Sequence, residues 1–249
     1  MKRSLFFAFC TVSIGLSLLS PPVFAKNDGL FEYEVTVTNL TQGQWITPIL
    51  GIGHNPAFAL PEAGQVAAGT PLETLAETGN PGPLATQVSG AQGVNHTVVA
   101  PDPNGLAGVL LPPGQSVTFR LPASQARPER LSLIAMLTPT NDAFFALRGV
   151  QAPRHRQTET FYAPAYDAGT EVNSEACAEI PGPPPLAAIL GCTLDATADA
   201  SSGTPEGGVI HIHNGIHGKP NAPDSELNPV NQDWNNPVAK VVIQRVRVY

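Results

Sequence analysis

The sequence predicts an all-β protein, an antiparallel β-sandwich of about eight strands with one short helix and long loops between its elements. Three observations predict it. Short segments alternate apolar and polar residues with period two, 26 Pro and 23 Gly punctuate the chain between them, and charged residues make up only 13% of it, where about a quarter is usual.

The chain opens Met1-Lys2-Arg3, runs apolar from Leu5 to Leu19, and reaches Pro21-Pro22-Val23-Phe24-Ala25 with small residues where a signal peptidase reads. Residues 1–25 are expected to be a secretory signal peptide cut after Ala25, and residues 26–249 a single domain. The apolar run is short for a membrane span, which takes roughly 20 apolar residues, and no later stretch approaches that length. Soluble export to the periplasm or the medium is the expectation, with no membrane insertion after cleavage.

Phe31 to Asn39 alternates strictly and is rich in β-branched residues, so it reads as a half-buried antiparallel strand. Trp45 to Gly53 is apolar, but Pro48 and two glycines restrict it to an edge strand or a bent segment. Leu72, Leu75 and Ala76 recur at helical spacing, with Thr70-Pro71 as cap and first-turn proline and Gly79 as stop, which predicts one short helix between Ala67 and Val88. Gly114 to Leu121 alternates after the Pro112-Pro113-Gly114 turn. Leu131 to Leu137 reads as a more buried strand, Phe144 to Leu147 and Val209 to His213 as further strands, and Ala239 to Tyr249 as the last.

Loss of Lys2 and Arg3 with the leader takes the formal charge from −7 to −9, which disfavours a nucleic-acid partner. Cys177 and Cys192 are then the remaining cysteines, and in an oxidising compartment a disulfide closing the loop around Ile180-Pro-Gly-Pro-Pro-Pro185 is the default.

Two acidic turns stand out. Tyr166-Asp-Ala-Gly-Thr-Glu171 follows an aromatic, strand-like run, and Thr138-Pro-Thr-Asn-Asp142 follows the apolar strand at Leu131. Carboxylates from two such loops suit a hard cation, and carbonyls near Asn141 and Ala168 add oxygen donors. The plainer expectation is an Asx-turn from Asp167 onto Gly169 and Thr170 beside a solvated Asn141-Asp142 turn.

These residues, together with Trp45 to His54, Leu131 to Phe145 and Asn236-Pro-Val-Ala-Lys-Val-Val-Ile-Gln-Arg245, resemble the spondin domain, the N-terminal module of animal F-spondin and mindin that also occurs alone in secreted bacterial proteins. The resemblance extends over most of residues 26–249. It implies a C2-like sandwich, calcium bound by loops at one end, and adhesion-type recognition of a protein or glycan outside the cell, without catalysis. Position by position it places the metal acids on Asp142, Asp167 and Glu171, the last usually Asp in the animal modules. Where mindin-like sequences carry a further Asp, this chain has Arg148. A guanidinium pointing between Asp142 and Asp167 would take over the ion's charge and leave a metal-free structural envelope protein.

A second constellation supports a different class. His211 and His213 are two apart and share a strand face, His217 follows in the next turn, and His54 is a reserve. Three imidazoles with an open position fit zinc or copper in a metal-dependent enzyme; the alternative is imidazoles bonded to backbone between loops. Apart from these histidines, no nucleophile turn or phosphate loop appears. Asp224 and Glu226 read as a polar loop, and Trp45 and Trp234 as packing residues.

Overall fold

In the computed structural model, which describes residues 31–100, 110–124, 129–154, 157–180, 182, 187–188, 191, 193–194 and 203–248, β1 (Phe31–Asn39) sits where the alternation places it. Its inward residues Tyr33, Val35 and Val37 are buried, while Thr36 and Thr38 face outward and bond across to Thr118 and Ser116. The predicted signal segment and Cys192 lie outside the described residues.

The described residues form eleven strands in two antiparallel sheets. The smaller runs β5 (Ser116–Pro122), β1, β11 (Ala239–Arg247), β8 (Thr158–Ala163). The larger runs β10 (His211–Ile212), β9 (Ala165–Asp167), β7 (Ala143–Gln151), β6 (Arg130–Thr138), β3 (Leu50–His54), β4 (Val94–Val99), with β2 (Trp45–Ile46) also paired to β6. Their facing sides bury one core, from Tyr33, Phe119 and Ile243 on one sheet to Leu133, Leu137 and Phe145 on the other.

A third layer covers the outer face of the larger sheet. Helices α1 (Pro71–Thr78) and α2 (Gly82–Ser89) bury Leu72, Leu75, Leu84 and Val88 with Leu50, Ile52, Ile134 and Phe144. Thr70 caps α1 by accepting from Leu72 N–H, and Gly79 ends it at φ 68°. With both faces covered, β6 reads as a nearly unbroken apolar run.

The helical region holds two helices where one was expected, because Pro81 and Gly82 restart the chain after Gly79. Of the two readings of Trp45 to Gly53 the bent segment holds: β2 and β3 are separate strands, and β3 lies between β4 and β6, not at an edge. Pro48 falls in the bend before it, and Gly51 leaves room for the Phe119 ring, which would stand 3.0 Å from any added Cβ.

Candidate metal centre at the β7–β9 loop end

β7 and β9 run antiparallel, with Ala143 opposite Asp167, so their pairing brings the two acidic turns together. Asp142 and Asp167 are both buried, at 0% and 1% exposure. The predicted Asx-turn is present: Asp167 Oδ1 accepts from Gly169 N–H at 2.8 Å. Thr170 does not continue it. Its N–H and hydroxyl donate to Asp142 Oδ2 at 2.8 and 3.1 Å, and Glu171 N–H adds a third donor at 3.2 Å. The Asp-Ala-Gly-Thr-Glu turn therefore serves the upstream aspartate with its backbone. Only glycine fits at its corner, since Gly169 has φ 67° and an added Cβ would lie 2.6 Å from Val209 N.

Asn141 and Asp142 are not solvated. The Asn141 amide oxygen accepts from Glu175 N–H, and Asp142 Oδ1 is buried with no hydrogen-bond partner. An ionised oxygen in that position carries an uncompensated desolvation cost.

Ligand atoms of Asp142, Asp167 and Glu206 lie within 4.8 Å of one another, a group able to hold a metal ion. Glu206 reaches it from an exposed loop whose backbone bonds to the turn: Glu206 N–H donates to Thr170 O and Gly208 N–H to Gly169 O. Glu171, expected as the third acid, does not join this group. Its carboxylate turns to Gly203 N–H at 3.0 Å and lies over that glycine, where an added Cβ would fall 2.2 Å from Glu171 Cδ.

Two further carboxylates crowd the site. Glu171 and Glu77 of α1 are buried, each with one unpartnered oxygen. Burial pushes Glu77 up to about 8 and Glu171 up to about 7. Asp142 is pushed up to about 6 by burial and by the Asp167 charge, against the pull of the Thr170 and Glu171 N–H groups. Arg148 does not relieve them. It leaves β7 near its other end and donates to Leu60 O at 2.8 Å and to Glu62 at 3.2 Å, so no guanidinium enters the acidic site from that residue.

The histidines separate. His211 and His213 do share a face and stand 3.7 and 3.8 Å from Asp167 Oδ2. His217 turns instead to Glu175, 3.6 Å away. Both ring nitrogens of His213 are engaged, Nε2 with Asn173 and Nδ1 with Gly215 N–H, and burial lowers its pKa to about 4. His54 is held by Ser132 and Asn55. Among the described residues these imidazoles form no three-ligand group. Trp234 is buried against His213, as a packing residue, and Glu226 accepts from Cys177 N–H.

Glu206 and Glu77 are the site residues that sequence reasoning missed. Glu206 sits in the turn-rich stretch Gly203-Thr-Pro-Glu-Gly-Gly208, and the bridge from Glu171 to Pro205 that delivers it leaves no local pattern. Glu77 follows Leu75-Ala76 on α1, a charged residue in a helix whose neighbours are buried. No protein-family model matches this chain, and no curated protein matches it.

Proposed function

We propose that the chain is an exported, spondin-like binding module whose loop end is held by one divalent cation on Asp142, Asp167 and Glu206. The observation that carries the reading is the buried, unpartnered Asp142 Oδ1 beside a group of carboxylates that, among the described residues, no Lys or Arg pairs with. The donors are all carboxylate oxygens, the set that suits calcium, whose remaining positions fall to water or carbonyl oxygen. The ion's role is structural: it neutralises converging charge and fixes the loops from which an extracellular protein or glycan is contacted. The Cys177–Cys192 disulfide belongs to the same reading, as does the absence of catalysis.

The test is thermal melting of the protein in EDTA and after calcium is restored. A cation at 100 times its dissociation constant stabilises by about 2.7 kcal/mol, which for a chain of this size raises Tm by about 5–10 °C. Asp142→Asn keeps an oxygen for the three donors at Oδ2 and puts an amide at Oδ1, so the fold should persist while the calcium response vanishes. Glu206→Gln should weaken calcium and Glu171→Gln should not. An unchanged calcium response in Asp142→Asn removes the site.

A further inference from the structure

Away from the acidic loops, the larger sheet carries two irregularities that meet. The β3–β4 register shifts between Gly53 and His54, and the β6–β7 register shifts between Leu131 and Leu133, opposite Arg148-Gly149. Bulges re-aim side chains and gather next to binding sites. Here they frame a cleft of about 250 Å³ lined by His54, Phe58, Leu60, Arg130, Arg148 and Gly149 among others.

Its walls are fixed by hydrogen bonds. Gly149, at φ 57°, donates its N–H to Ser132 Oγ at 2.8 Å, so the Ser132 proton is free to go to His54 Nε2 at 2.9 Å. His54 Nδ1 then donates to Asn55 O. His54 is buried and edge-on to Phe58 with centroids 5.0 Å apart, a neutral wall with both nitrogens used.

The charge in the cleft is positive. Arg130 donates to Gly149 O at 2.7 Å, and among the described residues no carboxylate forms an ion pair with it. Arg148 gives Nη2 to Leu60 O and to Glu62, whose side chain is 61% exposed, and its Nε is buried with no partner. Two guanidiniums at one cleft, in a chain of net charge −7, are answered among the described residues by one ion pair, to a solvated carboxylate on the rim. Guanidinium donors match oxyanion geometry.

We propose that this cleft binds a small oxyanion, a phosphate or carboxylate group, between Arg130 and Arg148, with Phe58 and Leu60 receiving the body that carries it. Glu62 is its internal competitor. The site is independent of the cation at the other end of the sheet.

The experiment is a titration of ¹⁵N-labelled protein with inorganic phosphate, phenyl phosphate and benzoate at constant ionic strength, following the Gly149 amide. Saturable shifts at Gly149 are expected. Arg130→Gln, at an exposed side chain, should weaken binding about tenfold or more, as expected for loss of a charge-assisted contact. Glu62→Gln should tighten it several-fold, a change that a role in loop holding would not produce. Tighter binding of phenyl phosphate than of inorganic phosphate identifies a ligand with an apolar body; equal binding identifies the free anion. Shifts that grow without saturation, or that Arg130→Gln leaves unchanged, overturn the proposal.

Discussion

At the start of β7 the chain buries carboxylates, and toward its end it gathers guanidiniums; the two charged regions are about six residues apart along one strand, or about 20 Å. They are built by different means. The acidic end is enclosed: Asp142, Asp167, Glu171 and Glu77 are all nearly inaccessible, and one turn supplies most of the donors. At the basic end Arg130 is exposed and Arg148 half-buried, each already bonded to a carbonyl. Buried like charge is expensive without an opposite partner, whereas solvated charge is nearly free. The comparison therefore separates the proposed cation, which would belong to folding, from the proposed anion, which the folded protein would take or leave.

The largest effect of a substitution on the ion-free fold should come from the corner of the acidic turn. Gly169→Ala forces a left-handed φ on alanine and sets a Cβ 2.6 Å from Val209 N and 2.7 Å from Val209 O, backbone atoms that cannot swing aside. The conformational cost alone is about 1–2 kcal/mol, and with the collision a loss of about 4–8 °C in Tm is expected. Calcium affinity should fall with it, because Asp167 and the donors to Asp142 ride on the same turn. Retention of both would mean that the turn does not organise this end.

A pH series separates the two ends next. Asp142, Glu171 and Glu77 have folded pKa values raised to about 6, 7 and 8, above those of ordinary carboxylates. Between the unfolded and folded values the native state binds more protons, so the stability these groups contribute is fully present below the unfolded values, about 4, and is lost as pH rises through about 8. In EDTA, Tm should decline across that window. Calcium should flatten the lower part, where Asp142 ionises, and Glu77→Gln the upper part. A Tm that rises from pH 5 to 8 in EDTA would show that the crowded carboxylates are not the governing groups.

This arrangement was only partly legible in the sequence. β1 was readable because one face meets solvent, and β6 because both faces are covered. The caps of α1 are local chemistry and were readable for that reason. β4 was missed and β8 was read only as an aromatic, strand-like run before Tyr166: β4 is half-buried along almost its whole length and β8 is an edge with exposed Thr158, Glu159 and Tyr162, so neither alternates cleanly. At the site, Asp142 and Asp167 were legible as acids in turns that follow strands. The third acid came from the resemblance, which put it on Glu171, while the fold uses the Glu171 N–H on Asp142 and brings Glu206 from a distant loop into the acidic group. The resemblance also put Arg148 at the site, where the metal-free alternative needed its guanidinium between Asp142 and Asp167, but a bulge beside it and Glu62 from a loop before α1 draw it to the far end.

The smallest predicted effect tests the other side of the comparison. Glu62 and Arg148 form the clearest ion pair at the basic end, yet the carboxylate is mostly solvated. Exposed pairs of this kind contribute about 0–1 kcal/mol, so Glu62→Gln should move Tm by no more than about 2–4 °C. The Arg148 bond to Leu60 O survives that change, and it keeps the segment before α1 in place. A loss approaching that of Gly169→Ala would make Glu62 a clasp holding the fold, with no spare positive charge behind it for an anion. A negligible loss, combined with tighter phosphate binding, is the behaviour of a competitor resting on the rim of a binding cleft.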